Sequence, residues 1–199
     1  ARFEEAKASY KKAIEFKSDY VLAHYNLAVM LVELNSFKEA EESYKNAIRF
    51  QHDFLFAHYN LGNMLSKLNR LDEAEIYFGK AIALKPDFKL ALLNRGQILF
   101  EKGKFESSLK DFDACNNEDS RSRALTSLYA LGKIEDIYHR IKKNSELDYE
   151  NLQVAAFSSF ITYKEKKETV NKFCINPINF INFSNLSFHL KDPNTFISE

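Results

Sequence analysis

The stretch AHYNLAVMLVELNSFKEAEESYKNAI, residues 23–48, is answered 34 positions later by AHYNLGNMLSKLNRLDEAEIYFGKAI, residues 57–82. The register extends both ways. Phe3, Phe37, Leu71 and Phe105 recur at this interval, as do Ala6, Ala40, Ala74 and Ser108. Tyr10, Tyr44, Phe78 and Phe112 form a third set, and Ala13, Ala47, Ala81 and Cys115 a fourth. A period this long, held without insertion, predicts stacked helical hairpins rather than one closed core.

Each unit reads as two helices. Leu27, Leu31 and Leu34 trace one apolar stripe, and Phe37, Ala40, Tyr44, Ala47 and Ile48 the next. Asn35-Ser36 separates them, and Ser36 with Glu39 three residues later predicts a capping box. Asn69 and Asp72 stand at the matching junction, and Lys85-Pro86-Asp87 marks a stop and turn. Ala28, Gly62 and Gly96, also 34 apart, predict sites where a facing helix backbone comes close. Complete units span 21–54, 55–88 and 89–122, after the second helix of a partial unit in 1–20. Ala1 aligns with Asn35 inside a repeat, so the chain is expected to be a piece of a longer protein.

Beyond residue 122 the period weakens. Residues 123–169 predict degenerate terminal helices, at Arg123–Leu131, Ile134–Lys143 and Tyr149–Tyr163. Leu152, Ala156, Phe157, Phe160 and Ile161 form the buried side of the last. Residues 170–199, rich in Phe, Ile and Asn with Pro177 and Pro193, predict an irregular segment. It either packs on the preceding helices or begins a further domain.

The 199 residues are 45% hydrophobic with only 5 Gly and 3 Pro, which fits an ordered helical chain. Its 28 basic and 28 acidic residues cancel, which excludes the gross polybasic signature of a nucleic-acid binder. No apolar run is long enough to span a bilayer. Two cysteines far apart, Cys115 and Cys174, favour a reducing compartment, and the expected location is cytoplasmic.

These units resemble the tetratricopeptide repeat (TPR) family, with ALLNRGQILFEKGKFESSLKDFDAC, residues 91–115, as a modestly divergent third copy. Arg95 there replaces an apolar residue and Ser108 an alanine, so a locally altered contact is expected. The resemblance implies an all-α, right-handed superhelix of stacked antiparallel helix pairs with a concave groove. The placement of the last segment is also similar to bacterial proteins in which TPR units precede an iron- and 2-oxoglutarate-dependent oxygenase-like domain.

Chemistry is sparse. His24, His52, His58, His139 and His189 provide no His-x-Asp/Glu pair, and no zinc, nucleophile-elbow or phosphate-loop motif occurs. The chain is therefore expected not to be an enzyme, to need no cofactor and to hold no metal. His24 and His58, one period apart, are expected to be half-buried structural residues.

The binding surface is richer. Asn26, Asn60 and Asn94 recur at 34 residues, with Tyr25 and Tyr59 beside two of them and Asn63 and Gln97 a turn further on. A side-chain amide both donates and accepts, so a ladder of them suits the backbone of an extended peptide. The ladder resembles that in the TPR region of O-linked N-acetylglucosamine transferases. The expected role is a protein–protein interaction scaffold that binds an extended peptide, without nucleic acid, in an oligomeric state the sequence leaves open. The alternative is the substrate-recruiting arm of a larger bacterial oxygenase or glycosyltransferase.

Overall fold

The computed structural model describes residues 2–144, 147–148 and 151–165. Those residues form ten helices and no strand. In chain order they are α1 (Arg2–Phe16), α2 (Val21–Glu33), α3 (Phe37–Phe50), α4 (Leu55–Lys67) and α5 (Leu71–Leu84). Then come α6 (Lys89–Glu101), α7 (Phe105–Cys115), α8 (Glu118–Ala130), α9 (Ile134–Lys143) and α10 (Leu152–Lys164). The chain divides into two compact units between Ser127 and Leu128, within α8. The segment 170–199, with Cys174 and His189, lies outside the described residues.

In the first unit, α2, α4 and α6 start at residues 21, 55 and 89, and α3, α5 and α7 at 37, 71 and 105. Each first helix packs on its own second helix, and each second helix on the first helix that follows. The result is an all-α stack of antiparallel helix pairs. Ala28, Ala40 and Ala47, then Leu61, Ala74, Phe78 and Ala81, lie within its buried core.

What comes close to the small residues is a ring, where backbone was expected. A Cβ on Gly62 would stand 3.0 Å from Phe78, and one on Gly96 would stand 2.7 Å from Phe112. Tyr44, 2% exposed, stands at the same interval of sixteen residues after the fully buried Ala28. Glycine in mid-helix costs about 1 kcal/mol against alanine, and the seat it gives the aromatic ring accounts for its presence. The alternative of a backbone contact fails because a flat ring fills the gap first.

The junctions also work differently from the expected capping box. Ser36 sits at the N-cap of α3, but its side chain makes no capping bond. The physics lies in how the first helix ends. Asn35 takes φ 56°, Asn69 φ 58° and Gly103 φ 72°. In each case the next residue's N–H returns to a carbonyl five residues back: Ser36 to Leu31 at 2.8 Å, Arg70 to Leu65 at 2.9 Å, Lys104 to Leu99 at 2.8 Å. These are Schellman ends, with Asn or Gly where a Cβ is penalised. Gly132 repeats the device after α8, where Lys133 N–H reaches Leu128 at 2.9 Å.

Ion pairs follow the same period along the loops. Glu41 accepts from Arg70 at 2.5 Å, and Glu75 from Lys104 at 3.2 Å. Arg70, the larger influence, and Lys45 hold the Glu41 carboxyl down to about 2. The third hairpin departs as its sequence implied. Arg95 clasps Asp111 with two bonds of 2.7 and 2.6 Å, and Ser108 donates to the Gly96 carbonyl at 2.8 Å.

The helix expected from Arg123 begins instead at Glu118. Asn116 ends α7 in the left-handed region at φ 45°. Asn117 then starts α8 through reciprocal bonds with Ser120, of 2.8 and 2.9 Å. In the second unit α10 is started by Asn151, which accepts from Gln153 and Val154 N–H groups. Tyr149, the expected start, lies outside the described residues. Phe157, Phe160 and Ile161 are buried, and the Tyr129 ring stands edge-on to Phe157 and Phe160.

The left-handed turn generates a test. Asn69→Ala is expected to lower stability by about 1 kcal/mol, while Asn69→Gly stays within roughly 0.5 kcal/mol of the parent. Urea unfolding of the two variants measures the difference, and equal midpoints would remove the turn from the account.

Candidate functional site: the face of the first helices

The predicted amides all lie on α2, α4 and α6, and all are half-buried. Helical spacing puts residues three and four apart on one face, so Tyr59, Asn60 and Asn63 line up along α4. The structure joins these residues across neighbouring hairpins. Asn60 Nδ2 donates to Tyr25 Oη at 2.9 Å, linking α4 to α2. Asn94 Nδ2 donates to Asn63 Oδ1 at 2.7 Å, linking α6 to α4. Gln97 Nε2 donates to Glu101 on its own helix at 2.8 Å, and its Oε1 accepts from Arg123 of α8. Tyr59 contributes a ring, 5.0 Å from Phe88, as Tyr25 does 4.9 Å from Phe54. Asn26 takes part in none of these bonds.

The amides thus partner side chains of the next hairpin along. Each carboxamide still has capacity left, since the Oδ1 atoms of Asn60 and Asn94 accept nothing from these partners. Burial raises the Tyr25 pKa, and the Asn60 bond opposes it in part. Burial, with a smaller effect of Tyr25, pushes the Tyr44 hydroxyl further up. Both phenols stay neutral. The face therefore offers hydroxyl and amide groups without net charge.

Two elements escaped the sequence reading. Arg123 joins the row because α8 begins early. Leu22, Phe56 and Leu90 stand one turn before Asn26, Asn60 and Asn94, each 52% exposed. Their 34-residue spacing was visible, but an apolar residue at repeat period reads as core until burial is known.

His24 and His58 occupy the inner side of the same helices, buried to 7% and 4% exposure. Nε2 of each donates to a carbonyl six residues back, Ser18 and His52, at 2.8 Å. That ties the loop before each first helix to the helix itself. His24 also stacks on Phe50. Among the described residues no three His, Cys, Asp or Glu groups gather as a metal would require. No helix among them is long and apolar enough to cross a membrane.

A Tetratricopeptide repeat profile matches residues 56–88 and a second matches residues 21–52, while a TPR repeat profile matches residues 2–31. No curated protein matched the chain. Among solved structures, YrrB, described as a TPR protein with an unusual peptide-binding site, is 20% identical with a TM-score of 0.67. The match covers 80% of this chain and 85% of that one. MamA is 17% identical with a TM-score of 0.66, over 76% and 86% of the two chains. PilF of Pseudomonas aeruginosa is 20% identical with a TM-score of 0.64, over 83% and 78%. At these identities the likeness is one of fold.

The buried imidazole supplies a pH test. Burial, the largest influence, lowers the His58 pKa below 6.5, the His52 carbonyl opposes this, and Lys80 adds to it. The unfolded chain therefore binds the proton first as pH falls. The stabilisation is complete above the unfolded value and is lost as pH drops through the folded one. Unfolding free energy should fall as pH drops below the ordinary histidine value of about 6.5, with a shallower slope in His58→Gln. Identical slopes in parent and variant would show that His58 titrates alike in both states.

Proposed function

Because this chain is a tetratricopeptide repeat protein, we propose that it binds an extended segment of a partner protein along the first-helix face. Tyr25, Asn26, Tyr59, Asn60, Asn63, Asn94 and Gln97 are the contacts. The role is that of an interaction scaffold without catalysis, metal or cofactor, acting in the cytoplasm. The observation that carries it is the half-buried amide row, bonded across hairpins at 2.9 and 2.7 Å yet with acceptor oxygens to spare. Mutual bonding holds each carboxamide in one orientation before a ligand arrives, which reduces the ordering cost of binding. An extended peptide presents a regular succession of N–H and C=O groups, and such a row meets them without selecting side chains. The described peptide-binding site of the fold neighbour YrrB supports the same reading.

Titration calorimetry with a partner segment tests it. Asn60→Ala is expected to weaken binding by about 0.5–1.5 kcal/mol, one net hydrogen bond, and the Asn26/Asn60/Asn94 triple alanine variant by more. Circular dichroism would first establish that both variants keep the parent helicity. Unchanged affinity in the folded triple variant would remove the amide face from the binding site.

A further inference from the structure

Leu22, Phe56 and Leu90 are the second residues of α2, α4 and α6, each 52% exposed and four residues before an amide of the row. Helical spacing puts each such pair on one face. Around Phe56 that face is aromatic. Phe88, the residue before α6, stands edge-on to Phe56 with ring centres 6.3 Å apart, and its ring lies 5.0 Å from that of Tyr59. Carboxylates border these rings. Asp53 is three residues before Phe56 and Asp87 immediately before Phe88, and both are exposed.

What this cluster lacks is a cation. Elsewhere in the first unit the chain supplies its own. Arg49 lies over the Phe50 ring at 4.6 Å and Lys80 over the Tyr77 ring at 4.9 Å. Glu41, Glu75 and Asp111 pair with Arg70, Lys104 and Arg95. Among the described residues no Lys or Arg lies over Phe56, Tyr59 or Phe88. Asp53 and Asp87 enter no ion pair among them either, although Lys85 and Lys89 flank Asp87 in the chain. A ring face attracts a cation through its quadrupole. A guanidinium suits both features, since its plane stacks on a ring while its fork bonds a carboxylate. An acidic segment would meet like charge here, and a neutral one would cover the carboxylates without pairing them.

We propose that the segment bound on this face is a basic one of a partner protein. Its arginine side chains stack on the Phe56 and Phe88 rings and pair with Asp53 and Asp87. Apolar side chains beside them cover Leu22 and Leu90. This rests on the peptide-binding reading above and adds the chemistry of the peptide.

Fluorescence anisotropy with labelled synthetic peptides of equal length and the full chain tests it. One peptide repeats Leu-Arg-Ser-Gly, and two others carry Glu or Gln in place of every Arg. The Arg peptide is expected to bind at least about tenfold more tightly than either other, and to weaken as salt rises. Phe56→Ser should weaken it about tenfold. Asp53→Asn/Asp87→Asn should weaken it at least about threefold and flatten the salt dependence. Should a variant lose its helical spectrum, the three-peptide comparison on the parent chain decides the matter. Equal affinity for the Arg and Gln peptides overturns the proposal, as does failure of the Arg peptide to bind, or its undiminished binding to both folded variants. Arg and Gln peptides that bind equally, and are both lost in the Asn26/Asn60/Asn94 alanine variant, overturn it and leave the amide-face function standing.

Discussion

The structure depends on an aromatic ring seated against a residue with almost no side chain. Phe78 seats against Gly62 and Phe112 against Gly96, each ring sixteen residues after its seat, and Tyr44 and Ala28 stand at the same interval in the core. Phe78 is fully buried and Phe112 1% exposed, so each ring contributes most of its apolar area to the hairpin. The contact sets the closeness and rotation of the two helices. Repeated every 34 residues, it gives each hairpin the same geometry as the last, and equal hairpins stack.

Stacking leaves one face of each first helix over. With the ring contact using one side and the neighbouring hairpins others, the second residue of each of α2, α4 and α6 is left half-exposed. Tyr25, Asn60, Asn63 and Asn94 spend part of their polarity on each other, while Leu22, Phe56 and Leu90 each remain 52% exposed. The proposed peptide site is therefore a by-product of regular packing. The period that builds the scaffold also sets the spacing of what it presents.

Much of this was legible in the sequence because repeat period and helix period are both one-dimensional signals. The all-α hairpin stack follows from Phe37, Ala40, Tyr44 and their copies alone. The identity of the close contact did not follow, since Gly62 admits a backbone or a ring equally well on paper. The Asn35 and Asn69 junctions were read as starts of the second helix, where Schellman bonds make them ends of the first. Asn and Ser serve either purpose, and only φ distinguishes them. At the site, the sequence placed the amide row on one face but left its partners open. Arg123 was missed because Asn116 and Asn117 shorten the loop before α8. The apolar row was missed because exposure is not written in residue type.

A double-mutant cycle at Gly62 and Phe78 tests the central contact most directly. Gly62→Val is expected to cost about 1–3 kcal/mol by overpacking, and Phe78→Ala about 3–5 kcal/mol by leaving a cavity. If the ring occupies the seat, the valine fills part of the space the ring vacates. The double variant should then be more stable than the summed single effects by at least about 1 kcal/mol. Additivity within roughly 0.5 kcal/mol would mean that the two residues do not share a contact, and would contradict the account of how the hairpins are held.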